Sequence, residues 1–304
     1  MQTASAFMES VLPKPLPFSL LPPPRLDRAR IAAHADLRPV LKAQATAFLA
    51  MHRQLPRMAA IFGKQQRYLL GQLAIAMAFE CGEHGFVVAH YLEAVKAHGI
   101  ASRNTAISFI EEMLHYKIAQ ISVLGANRRS RPVALAPATI EVLTTWLGLH
   151  LDSLDALDGG NRRSALQQDP QLLAQVHPLI VHHILSSKKT MRPVRIFAFL
   201  SDMNDGRVLM DTIITSLHDA PAGTTRFPTF VHAYSQLCQP LRISRTHLLR
   251  KLAVSEQAGH VGWLGRRGAS TFWISKEFLH DYETYQAEKL ANIESAWQAI
   301  RTAD

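Results

Sequence analysis

Apolar residues recur at intervals of three and four through residues 36–55, placing Leu37, Val40, Leu41, Ala45, Phe48 and Leu49 on one side. Residues 65–79 repeat the pattern with Leu69, Leu70, Leu73, Ile75, Ala76 and Phe79, so both stretches predict amphipathic helices. Gly82 and Gly85 interrupt the chain. Residues 88–98 then form a short helix that Gly99 closes, since glycine accepts the left-handed turn beyond a helix end. Ser102 is placed to cap the next helix, 103–116, by accepting one of its free N–H groups. That helix buries Ala106, Ile107, Ile110 and Leu114. Helix, glycine turn and capped helix is the helix-turn-helix order. Alternation over 118–124 predicts a strand, 125–131 a polar turn, and 132–136 a second strand with Val133 and Leu135 on one face. Pro137 suits the start of a long helix over 139–157, because its missing N–H is not needed there.

Asp158-Gly159-Gly160-Asn161-Arg162-Arg163 is the clearest interior break. After it the order recurs. Helices are expected over 170–186 and 206–217, with a shorter one over 229–238. Residues 194–200 read as a short helix, although the apolar run also fits a strand. Ser244 caps a helix over 245–258. Residues 261–264 and 271–274 form a ribbon around Gly265-Arg266-Arg267-Gly268, and Ser275 caps a final helix ending near Arg301. The two halves correspond at a period of about 140 residues. Ser102-Arg103 falls against Ser244-Arg245, Arg67 and Leu69 against Arg207 and Leu209, and Val133 against Phe272. The expected organisation is a proline-rich arm (1–29), a first domain (30–157), a linker (158–164) and a second domain (165–304). Six prolines between Pro13 and Pro24 keep the arm from forming a long helix.

Composition narrows the partners. The formal net charge is +9 and the isoelectric point about 9.8, a balance that favours polyanions. The two cysteines, Cys81 and Cys238, stand far apart and outside any metal-ligand spacing, which suits a reducing cytoplasm. The proline-broken N-terminus lacks the basic start of a signal peptide, and no uncharged apolar run is long enough to cross a membrane. No phosphate loop, nucleophile elbow or metalloprotease motif occurs, so no enzyme, metal or cofactor is expected.

The segment from Ser102 to Pro137 resembles the winged helix-turn-helix of MarR-type transcriptional regulators. The likeness rests on the Ser-capped helix, the strand after it, and the turn Asn127-Arg128-Arg129-Ser130-Arg131 followed by Val133, Leu135, Ala136 and Pro137. It covers roughly residues 65–155. Asn127 and Ala136 depart from the Asp and Thr usual in that family. The resemblance implies a mainly α fold with small β-ribbons (α+β), here as two tandem winged helix-turn-helix domains on a helical scaffold. It also implies a small, often aromatic or anionic, effector that shifts the spacing of the reading heads.

The residues themselves point to double-stranded DNA. A helix enters the major groove and its first turn reaches base edges and phosphates. The first set is Ser102, Arg103, Asn104, Thr105 and Ser108, with Arg128, Arg129 and Arg131 in the wing. The second is Ser244, Arg245, Thr246, His247, Arg250 and Lys251, with Arg266 and Arg267 in the wing. Glu111 and Glu112 count against the first helix, whereas the second has no acid before Glu256. A regulator acting as a single-chain pseudo-dimer is the leading expectation, and further homodimerisation is open. The alternative is a winged-helix interaction or oligomerisation scaffold without sequence-specific DNA binding.

Overall fold

The computed structural model describes residues 26–55, 61–124, 131–187, 203, 205–221, 223–239, 241 and 244–301. Within them the protein is mainly helical with two small antiparallel sheets. The N-terminal arm through residue 25, residues 194–200, and Arg128 and Arg129 lie outside this set.

The first half begins with α1 (Arg28–Ala33), capped by Asp27, whose carboxylate accepts from the Arg30 amide at 2.8 Å. It continues through α2 (Leu37–Gln54) and α3 (Gln65–Cys81). The α3 helix departs from the amphipathic expectation: every residue from Tyr68 to Ala76 is buried. Small residues at Gly71, Ala74 and Ala76 allow neighbours onto all its sides, and a Cβ at Gly71 would collide with the Phe62 ring. A one-turn 3₁₀ segment (Gly82–His84) leads to Phe86, which exchanges backbone hydrogen bonds of 2.9 and 2.8 Å with Val133. Gly85 makes that pairing possible. Its φ is +70°, and a Cβ would stand 2.8 Å from the Val133 carbonyl oxygen. Then follow α4 (Val88–Ala97), α5 (Arg103–His115), β1 (Ala119–Ile121), β2 (Val133–Leu135) and α6 (Pro137–Asp158). The ladder of β1 and β2 pairs Ala119 with Leu135 and Ile121 with Val133. It is shorter than the expected strand over 118–124, leaving Val123 and Leu124 exposed beyond it.

The second half comprises α7 (Arg162–Gln168), α8 (Leu172–Ser186), α9 (Gly206–Thr215), β3 (Arg226–Pro228), α10 (Tyr234–Cys238), α11 (Arg245–Gln257), β4 (Val261–Trp263), β5 (Phe272–Ser275) and α12 (Lys276–Arg301). Sequence pattern misses β3 and instead extends α10 back to residue 229. The strand is only Arg226-Phe227-Pro228, and Pro228 cannot donate to a ladder, so it occupies a sheet edge in the order β3-β5-β4.

The stretch read as a linker holds α7 and a buried ionic cluster. Arg162 is only 4% exposed and donates to Asp155 at 2.9 Å, to Asp158 at 2.8 and 2.7 Å, and to Glu294 of α12 at 2.7 Å. Packing crosses the boundary throughout. The main partner of α2 is α9, and that of α3 is α8; α12 packs along α8 and α1 and also touches α6. One continuous apolar core therefore contains Leu41, Leu70 and Leu147 together with Leu209, Phe278 and Trp297.

Candidate nucleic-acid interface

The two candidate helices start alike. The Ser102 hydroxyl accepts from the Thr105 amide at 3.2 Å, and the Ser244 hydroxyl accepts from the His247 amide at 3.2 Å. Their backbone angles are nearly equal: φ −68° and ψ 156° at Ser102, φ −67° and ψ 148° at Ser244. Each cap satisfies one N–H and leaves the positive end of the helix dipole facing outward.

Around α5, Ser102, Arg103, Asn104, Thr105 and Ser108 are all exposed, as is Arg131 before β2. The Ser102 and Thr105 hydroxyls also share a 2.9 Å hydrogen bond. Glu112 is tied to Arg67 of α3 at 2.7 Å, and Glu111 faces solvent. Arg67 further donates to the Ile61 carbonyl at 2.6 Å and lies over the Phe109 ring. It thus clamps α5 on α3 and offsets one of the two acids that oppose a polyanion.

Around α11, Arg245, Thr246 and Arg250 are exposed, while His247 and Lys251 are half-buried. The Arg245 guanidinium lies 5.9 Å from the centroid of the Tyr234 ring, which orients it across the helix start. The two arginines of the β4–β5 turn differ. Both are exposed, but Arg267 pairs with Glu256 of α11 at 2.8 Å. Glu256 is also within 3.4 Å of the Tyr234 hydroxyl. Gly268, at φ +73°, packs so closely on Tyr234 that a Cβ would come within 2.5 Å of the ring. Arg267, Glu256, Tyr234 and Gly268 together hold the β4–β5 turn against the helix, and Arg266 is left to reach outward.

Sequence pattern supplied the helix starts and the arginines of the β4–β5 turn. It missed the residues that position them, namely Arg67, Tyr234 and Glu256, because their partners are distant along the chain. Arg67 and Arg207, matched in the expected repeat, do different work. Arg207 lies 3.7 Å from the centre of the Tyr68 ring and donates to the Gln65 side chain at 3.1 Å, joining the halves.

Among the described residues no three His, Cys, Asp or Glu side chains are grouped to hold a metal ion, and no helix is long and apolar enough to cross a membrane. No protein-family model, curated protein or solved structure matches the chain.

Proposed function

We propose that the chain is a DNA-binding transcriptional regulator with two tandem winged helices, α5 and α11 being the major-groove helices. The observation that carries the reading is the matched pair of capped helix starts, each followed by an antiparallel strand pair and a long helix. The exchange of partners supports an internal duplication. If α2 and α3 correspond to α8 and α9, then α2 on α9 and α3 on α8 are one contact made twice. Such reciprocal contacts are what a two-fold homodimer makes, so one chain would present two unlike heads and need not read a palindrome. The net charge of +9 supplies the attraction to phosphate.

The second reading, an interaction or oligomerisation scaffold, draws on Val123 and Leu124, which are 87% and 60% exposed just beyond β1. Titrating random genomic fragments at increasing salt separates the two. The regulator reading expects affinity to fall steeply with salt, and Arg245→Ala to weaken binding by about 1–3 kcal/mol. Absence of binding at low salt, with self-association seen by sedimentation, would favour the scaffold.

A further inference from the structure

A cavity of about 200 Å³ lies where α2, α3 and α6 of the first half meet α9 and α12 of the second. Phe48, Leu55, Ile75 and Val142 give it apolar walls, and Lys289 of α12 lines it beside them. A dry cavity of about 150 Å³ holds the six carbons of benzene, so this one accepts about eight.

Lys289 stands apart from the other charged groups of the cavity. Arg207 lies over the Tyr68 ring and donates to Gln65. Asp211 of α9 accepts from the Tyr282 hydroxyl at 3.4 Å. The Lys289 side chain is half-buried, and among the described residues its nitrogen makes no hydrogen bond and no ion pair. It faces the Phe48 ring, with 5.7 Å from the nitrogen to the ring centroid. The nitrogen retains accessible surface, unlike the enclosed acceptors of Gln72, His150 and Gln286.

An ammonium that leaves water without gaining hydrogen bonds is unfavourable, and the neutral amine gains ground. Burial lowers the proton affinity of Lys289 and raises that of Asp211. Their mutual attraction opposes both shifts, and Arg207 adds to the fall at Lys289. The proton that Lys289 gives up thus has a place on Asp211, and the pair is neutral overall in either form. A neutral lysine in an apolar cavity is a nucleophile towards carbonyl carbon.

We infer that Lys289 is a reversible covalent binding site for a small, uncharged aldehyde of up to about eight carbons, held as an imine. The amine lone pair bonds to the carbonyl carbon, and the π pair moves to oxygen, which takes a proton from the nitrogen. The carbinolamine then loses its hydroxyl as water, the departing oxygen taking the proton held by Asp211. An iminium and the Asp211 carboxylate remain, so the net charge of the cavity is unchanged. Acylation would instead remove the cation that Asp211 faces, and a carboxylate on the aldehyde would add an unbalanced charge. The inference concerns the cavity alone and does not rest on DNA binding.

Incubating the full chain with hexanal and cyanoborohydride at pH 7, then mapping peptides by mass spectrometry, tests it. Cyanoborohydride reduces the iminium to a stable secondary amine, so the label marks where the imine forms. The expected result is one hexyl group per chain at Lys289, formed at least tenfold faster than at exposed Lys96, Lys117 or Lys276. The anionic aldehyde 6-oxohexanoate should label Lys289 at least tenfold more slowly than hexanal. Lys289→Arg, which keeps a cation facing Asp211 but has no amine to condense, should abolish the rapid label. Circular dichroism and thermal midpoint identify a variant that fails to fold; the peptide map of the parent protein decides without it. Labelling spread evenly over the lysines, or absent from Lys289, overturns the site. A rapid single label that persists in folded Lys289→Arg places the imine elsewhere and overturns it as well. Equal labelling by 6-oxohexanoate overturns the requirement for an uncharged aldehyde.

Discussion

His177 lies on α8 with no exposed surface, near the rings of Phe79 and Trp146 at centroid distances of 5.6 and 6.3 Å. Neither ring nitrogen has a hydrogen-bond partner among the described residues, and burial pushes the imidazole down to about 3. The unfolded chain takes up this proton near pH 6.5 while the native state refuses it. The contribution of His177 to stability is therefore complete above pH 6.5 and is lost progressively as pH falls towards 3. The slope is about 1.4 kcal/mol per pH unit for one such group. Buried His150 is shifted in the same direction and adds to the effect. Urea unfolding at pH 7 and pH 5 should show a marked loss for the parent protein and a smaller one for His177→Phe. An equal loss in both proteins would remove His177 as the cause. The burial of His177 depends on what α3 and α6 bring alongside, namely Phe79 and Trp146.

At the scale of elements, the turn between β4 and β5 divides two adjacent arginines into different tasks. Arg267 is paired with Glu256, and Arg266 is exposed. If the turn meets DNA, Arg266→Ala should reduce the dependence of log affinity on log salt by about one phosphate contact and leave stability within about 0.5 kcal/mol. Arg267→Ala should instead loosen the turn, seen as faster amide exchange at residues 264–271 with a smaller change in the salt slope. Identical effects of the two substitutions would contradict the division. The capped starts of α5 and α11 were legible because capping is local: a serine and the amide three residues on suffice. The edge strand β3 was not legible, since three residues with one proline carry no alternation and their extended form is set by β5.

At the scale of the whole molecule, Arg162 joins the segment after α6 to α12. It is 4% exposed, and its partner Glu294 is fully buried. Glu294 also accepts from Gln298 at 2.9 Å, but a neutral amide does not replace a guanidinium. Arg162→Met would leave Glu294 charged without a cation, and a loss of about 3–5 kcal/mol is expected in urea unfolding. Adding Glu294→Gln should recover much of that loss. A single variant of unchanged stability would show that the cluster is dispensable. The sequence read this stretch as a polar linker because Gly159-Gly160 and the charged residues around them look solvated when their partner, more than a hundred positions away, is unknown.

Residue order alone determined the helical periodicity, the two serine caps, the repeat of elements and the basic balance. All of these depend on neighbours within one or two turns or on composition. Tertiary structure decided that α3 is enclosed on every side, that the halves interlock through α2 with α9 and α3 with α8, and that Arg162 is buried rather than solvated. It also decided which arginines are paired with acids of other elements, as Arg67 is with Glu112 and Arg267 with Glu256. Those outcomes follow from contacts between residues far apart in the chain, where the energy of burial depends on the partner brought alongside.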